Sequence, residues 1–200
     1  MTPIEEKIRA VHASGDIALA ANIAIETYGR EVFGFIMNCT HRSSECDDIF
    51  SAFRLNLWKG LPGFKWRSSM RTWAYTLARN ATVKHLANPA LSATRRISLT
   101  DAPEVFEVAD RVRTTTAAYL KTTKKESLRR IRKQLPVTDQ MLLVLRIDRT
   151  LPWRDIAMVM EGEHLAGCED ELTTAVGRYR KRFERIKEKL REIASEKGLL

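Results

Sequence analysis

Apolar residues recur at three- and four-residue intervals along nearly the whole chain, and no segment alternates apolar and polar residues as a half-buried strand would. That period restricts the chain to helices packed on helices. Punctuation divides the pattern. A short helix over about 4–12 stops at Ser14-Gly15-Asp16, and Asp16 is placed to cap a helix reaching about Asn38, with Leu19, Ile23, Val32 and Ile36 on one face. Ser43 or Ser44 starts the next helix, to about Lys59, and Pro62-Gly63 breaks it. Ser68 or Ser69 opens another, which ends near Asn88-Pro89 because a proline disfavours helix in the residue before it.

Residues 88–122 change character. Pro89, Pro103 and runs such as Thr114-Thr115-Thr116 read as a linker, with some helix around Glu104–Tyr119. Beyond it a helix is expected over about Lys125–Gln134, then one capped by Thr138 or Asp139 and running to about Arg149. Trp153–Met160 follows Leu151-Pro152, and a terminal helix spans about Asp170–Ser195. The expected fold is all-α: two small helical domains, 1–87 and 124–200, joined by a flexible linker over 88–123. Short helix, turn, then an Arg-crowded helix is the helix-turn-helix order at the C-terminal end.

The richest stretch is 61–80. After Leu61-Pro62-Gly63 come Phe64, Trp66, Trp73 and Tyr75, with Lys65, Arg67, Arg71 and Arg79 between them. Rings interleaved with cations suit a single nucleic-acid strand, whose bases stack on the rings while Lys and Arg follow the phosphates. A tight helix connection followed by an amphipathic helix accounts for the same composition. Trp73 and Leu77 share a face, so Trp73 serves either as a stacking ring or as core.

The order of these residues resembles a known family. Phe64 to Asn80, with Ser69, Arg71-Thr72-Trp73, Tyr75 and Ala78-Arg79-Asn80 in place, is similar to the promoter-melting segment of bacterial RNA polymerase sigma factors of the sigma-70 family, the extracytoplasmic-function (ECF) group above all. Asp47-Asp48-Ile49-Phe50-Ser51-Ala52-Phe53 and Leu57-Trp58-Lys59-Gly60-Leu61-Pro62 look like that family's core-binding helix, with Ser51 and Ala52 where a Gln-Glu pair is usual. The resemblance implies that Asp48, Ile49, Phe53 and Leu57 meet core RNA polymerase. It also implies that Phe64, Lys65, Trp66, Arg67, Ser68, Ser69, Arg71, Thr72, Trp73, Tyr75, Arg79 and Asn80 serve the −10 element as it opens. Internal packing is an equally simple role for Phe53 and Leu57.

Leu135-Pro136, the Leu-rich run 141–146 and Trp153-Arg154-Asp155-Ile156-Ala157 resemble the promoter-binding domain of the same family, with Asp155 where Glu is usual. The run Arg178-Tyr179-Arg180-Lys181-Arg182-Phe183-Glu184-Arg185 looks like its recognition helix, which implies that Arg178, Arg180, Lys181, Arg182 and Arg185 read the −35 element as duplex. Arg bonds guanine O6 and N7 in two contacts. Lys187, Lys189 and Arg191 alternate with Glu184, Glu188 and Glu192 and read as a solvated face instead. The turn 162–171 is longer than usual in the family and ends in acidic Glu169-Asp170-Glu171.

Charge agrees with a polyanionic partner: 34 Lys and Arg against 25 Asp and Glu give +9. An N-terminus carrying Glu5 and Glu6 does not read as a secretory signal, and the longest apolar stretch, 17–25, is too short to span a bilayer, so a cytoplasmic protein without membrane insertion is expected. Three cysteines, an odd number, do not read as a disulfide framework. Cys39, His41 and Cys46, or His164 and Cys168, lack paired zinc-ligand spacing, so neither a metal nor another cofactor is expected. Asp47 and Asp48 are neighbours on a helix and diverge, which makes them poor co-ligands for a nuclease metal. No phosphate-cradling glycine loop or nucleophile-base pattern occurs, so no enzyme is expected. The expected partners are core polymerase, promoter DNA as duplex and single strand, and an anti-sigma protein. The competing reading is a free-standing helix-turn-helix regulator. It explains the C-terminal end but not the order of residues 61–80, and binding to core polymerase separates the two.

Overall fold

The computed structural model describes residues 2–40, 43–87 and 131–196. The expected linker 88–123 and nearly all of the helix expected at 125–134 lie outside them. Among the described residues the fold is all-α.

Helix α1 (Pro3–Ala13) starts on a proline whose missing N–H would have had no helical partner anyway. It stops where Gly15 takes a left-handed φ of 87°. Helix α2 (Ile17–Cys39) is capped by Asp16, whose Oδ1 accepts the Leu19 N–H at 2.9 Å. Thirteen of its 23 residues are buried, on every side, so α2 is the axis around which the other N-terminal helices pack. Helix α3 (Ser43–Gly60) leads through a 3-10 turn (Leu61–Gly63) and a loop into α4 (Met70–Ala87). Ser69 caps α4, its Oγ accepting the Thr72 N–H at 3.0 Å. Between α2, α3 and α4 sit Phe33, Phe50 and Phe53 in ring contact, and Phe35 edge-on to Tyr75. Truncating one such ring to alanine costs about 3–5 kcal/mol. Gly60 lets the end of α3 approach the Trp73 ring closely: a Cβ there would lie 3.0 Å from it, so the ring would have to shift by a few tenths of an ångström.

Helix α5 (Val137–Leu143) runs on into a π-helical turn (Val144–Asp148). Its first residue follows Pro136, so Thr138 and Asp139 fall inside the helix rather than at its cap. Helix α6 (Trp153–Glu161) follows Leu151-Pro152. Gly162, at φ 122°, and a 3-10 turn (Glu163–Gly167) then lead to α7 (Glu169–Glu196). The inner stripe of α7 is Leu172, Ala175, Tyr179 and Ile186. Phe183 meets Trp153 edge-on at 5.5 Å.

The two helical groups touch. α4 packs on α6, and α2 on α5. Ser68 donates to Glu163 Oε1 at 2.5 Å, and Arg71 Nη2 to the Arg149 carbonyl at 3.2 Å.

Candidate nucleic-acid interface

The loop between the 3-10 turn and α4 carries a layered aromatic platform. Phe64 stacks on Trp73 with centroids 4.4 Å apart and 22° between planes. Trp66 lies tilted on Phe64 at 4.9 Å. Phe64 and Trp73 are buried, and Trp66 is the half-exposed outer layer. Trp66 holds φ at 56°, in the left-handed region, which costs a bulky residue about 1–3 kcal/mol unless its surroundings hold it there. The surroundings do: His12 Nδ1 accepts the indole N–H at 3.4 Å, and the Arg9 guanidinium lies over the ring at 5.7 Å. Lys65 and Arg67 stand exposed on either side of Trp66. From residue 51 through 87 the sequence holds no Asp or Glu, so the acids near this platform, Glu5, Glu31 and Glu163, come from other elements.

The other candidates of this segment fall into different environments. Ser68 and Ser69 are half-buried, one bonded to Glu163 and the other capping α4. Thr72 and Tyr75 are buried. Burial, with the Glu31 charge, pushes the Tyr75 phenol well above its usual range. Arg71 forks onto both Glu31 oxygens at 2.8 and 2.7 Å, and that bond, against the pull of burial, holds its proton more firmly than usual. Arg79 donates to Asn80 Oδ1 at 3.0 Å, and Asn80 is exposed.

On α3 the structure separates the four sequence candidates. Asp48 is exposed, whereas Ile49, Phe53 and Leu57 are buried to within 1%. Their four-residue spacing makes an inner stripe, so they shape the helix rather than present themselves. The outward stripe at i, i+4, i+7 and i+11 is Asp48, Ala52, Leu55 and Lys59, all exposed or half-exposed. That period is readable in sequence, but Leu55 carries no motif to single it out.

On α7, the ~100° per residue of a helix puts Arg178, Lys181, Arg182 and Arg185 within one arc, and Arg180 on the other flank of the buried stripe. Arg178 pairs with Glu161. Arg182 bonds Asp139 Oδ1 and Thr138 Oγ1, both at 2.6 Å, tying α7 to α5. Arg180, Lys181 and Arg185 are exposed. Arg154 forks onto Glu169, which lowers that carboxyl's pKa. Of the residues weighed as metal ligands, Cys39 and Cys46 are buried, and His41 lies outside the described residues. Among the described residues no cluster of three or more His, Cys, Asp or Glu is placed to hold a metal ion.

Residues 24–89 match the family model of sigma-70 region 2, which takes in most of α2, all of α3, the aromatic loop and α4. The chain is 25% identical over 146 residues to the RNA polymerase sigma-H factor of Pseudomonas aeruginosa, across 71% of this chain and 75% of that protein. No solved structure matches.

Proposed function

Since the chain belongs to the sigma-70 family and is a non-catalytic transcription initiation factor, we propose that it is an ECF-type sigma factor that opens promoters by strand capture at the loop 64–69. The observation that carries this reading is the platform itself. A half-exposed indole is backed by two buried rings and flanked by exposed Lys65 and Arg67 in a segment free of acids. Stacking is worth about 1–3 kcal/mol per base, which offsets the few kcal/mol of unstacking that melting requires.

Core RNA polymerase takes the outward stripe of α3, with Asp48 at its exposed edge. Promoter DNA is the second partner, held as a single strand by residues 1–87 and read as duplex by residues 124–200, with 88–123 as the link. The helix-turn-helix is α6, the 3-10 turn and α7. Its −35 contacts are Lys181 and Arg185, joined by Arg178 and Arg182 once they exchange their acidic partners for phosphate or guanine. An anti-sigma protein is the expected regulator, and the cytoplasm the expected setting. No helix among the described residues is long and apolar enough to cross a membrane.

The test is transcription by reconstituted holoenzyme. Trp66→Ala, or Lys65→Ala with Arg67→Ala, should leave core binding intact. Output from a duplex promoter should fall far more than output from a template already melted over the −10 element. Equal losses on both templates, or none, would remove the loop from the melting step. Selection from a random duplex library with the same holoenzyme identifies the promoter.

A further inference from the structure

Helix α1 lies outside residues 24–89, yet it meets the aromatic loop at both ends and in the middle. At the start, His12 Nε2 is 2.8 Å from the Leu61 carbonyl oxygen, where α3 gives way to the 3-10 turn. In the middle, the Trp66 indole donates to His12 Nδ1, and the two rings sit edge to face at 5.9 Å. At the far end, Glu5 accepts the Arg71 backbone N–H at 3.2 Å, in the first turn of α4, and the Tyr28 hydroxyl at the same distance. Glu5, Arg9 and His12 recur at four and three residues and share one face of α1.

We propose that α1 is a splint for the strand-capture loop, with Glu5 and His12 as its positioning residues. The inference rests on the strand-capture reading and adds what fixes the loop's shape. An indole N–H can only donate, so His12 Nδ1 accepts and its proton sits on Nε2, from which it is donated to Leu61. One tautomer therefore satisfies both bonds. Glu5 is 6% exposed and places a carboxylate at the N-terminus of α4, where the helix dipole favours negative charge. The fully buried Ile8, with Ile4 and Val11, anchors α1 by packing, and Glu5 adds its bond from Tyr28 of α2 to the one it accepts from the loop side. Holding Trp66 in a left-handed backbone before DNA arrives removes an ordering cost from strand capture.

Side-chain geometry separates positioning from packing. His12→Asn sets an amide where Nδ1 stands and keeps an acceptor for Trp66. His12→Gln sets one where Nε2 stands and keeps the bond to Leu61. His12→Phe keeps ring bulk and loses both bonds. Each variant is assembled into holoenzyme and compared with Trp66→Ala on duplex and pre-melted templates. The fluorine resonance of 5-fluorotryptophan at Trp66, assigned with Trp66→Phe, reports the ring's environment. His12→Phe and Glu5→Ala should shift that resonance, leave core affinity within about twofold and lower duplex transcription about tenfold. The pre-melted template should be spared. His12→Asn and Glu5→Gln should recover most of the loss, and His12→Gln should not. If Trp66→Ala impairs melting while His12→Phe and Glu5→Ala do not, the splint is wrong and strand capture stands. If Trp66→Ala is silent, strand capture fails first and the splint falls with it. Should His12→Phe fail to fold, the ranking of Asn against Gln decides, and equal behaviour of the two overturns the proposal.

Discussion

Arg71 tests whether the observed ion-pair geometry governs the chain. Its motif places it among the −10 contacts, whereas its guanidinium is committed to both Glu31 oxygens and to the Arg149 carbonyl. The side chains of the pair are 34% and 20% exposed, so solvent screens it in part. Charge-assisted bonds are worth about 1.5–3 kcal/mol when buried, and exposed pairs about 0–1 kcal/mol. A fork between these limits is worth about 2 kcal/mol. For a chain of this size 1 kcal/mol moves Tm by about 2–4 °C, so Arg71→Ala should lower Tm by about 4–8 °C. A cycle with Glu31→Gln should return a coupling of about 1 kcal/mol, because the two side chains share the bonds. The assay is thermal denaturation of the four proteins by circular dichroism, paired with the salt dependence of promoter binding by holoenzyme. Tm unchanged, no coupling to Glu31, and a salt slope reduced by about one would together refute the fork and return Arg71 to the DNA.

Three further outcomes are expected. Burial holds the Asp155 carboxyl above its usual range, with the Arg71 charge pulling the other way. The charged form is then the costly one in the folded state, so stability is fullest below the unfolded value of about 3.9 and falls as pH rises through the folded one. Asp155→Asn should therefore raise Tm at pH ~7 and lose that gain near pH ~3, and an equal difference at both would refute the burial argument. Replacing Arg178, Lys181, Arg182 and Arg185 with alanine should lower the salt slope of duplex binding by about one for each phosphate left without its cation. Arg180→Ala should leave it nearly unchanged, and the reverse ranking would place the other flank of α7 in the groove. Fluorophores at Lys84→Cys and Glu192→Cys, with Cys168→Ser, should lose energy transfer when core and promoter are added, and constant transfer would refute separation of the two groups.

The helices are legible because a 3.6-residue period survives tertiary context, and because Asp16 and Ser69 cap with atoms that their own sequence neighbourhood supplies. Where the expected boundary slips, at Thr138 and Asp139, the cause is distant: both side chains bond Arg182, more than 40 residues on. The π-helical turn 144–148 has no periodic signature that would announce it. The aromatic loop is legible as composition, but its layering is not. Phe64 and Trp73 are hidden partners of Trp66, and only packing distinguishes the outer ring from the inner two. Amphipathicity marks α3 equally well, yet it cannot say which stripe faces the core and which a partner. The contribution of α1 leaves no trace in sequence, since His12 and its loop partners are separated by 49 and 54 residues.

The packing of α4 on α6 bears on how such a chain reads two elements. By their names the −10 and −35 elements lie about 25 base pairs apart, or roughly 85 Å of duplex. Helix α7, with 28 residues, spans only about 42 Å. A chain that keeps α4 on α6 cannot lay both surfaces on that duplex, so the proposed function requires the two helices to part. Ser68 and Arg71 gain one bond each from Glu163 and Arg149. Burial disfavours the Asp155 carboxylate beside Arg71, so its charge weakens the junction. Ser68 and Arg71 both belong to the segment proposed as the −10 surface, so under the proposed function parting α4 from α6 releases Ser68 from Glu163 and Arg71 from the Arg149 carbonyl, while Arg71 keeps its fork to Glu31.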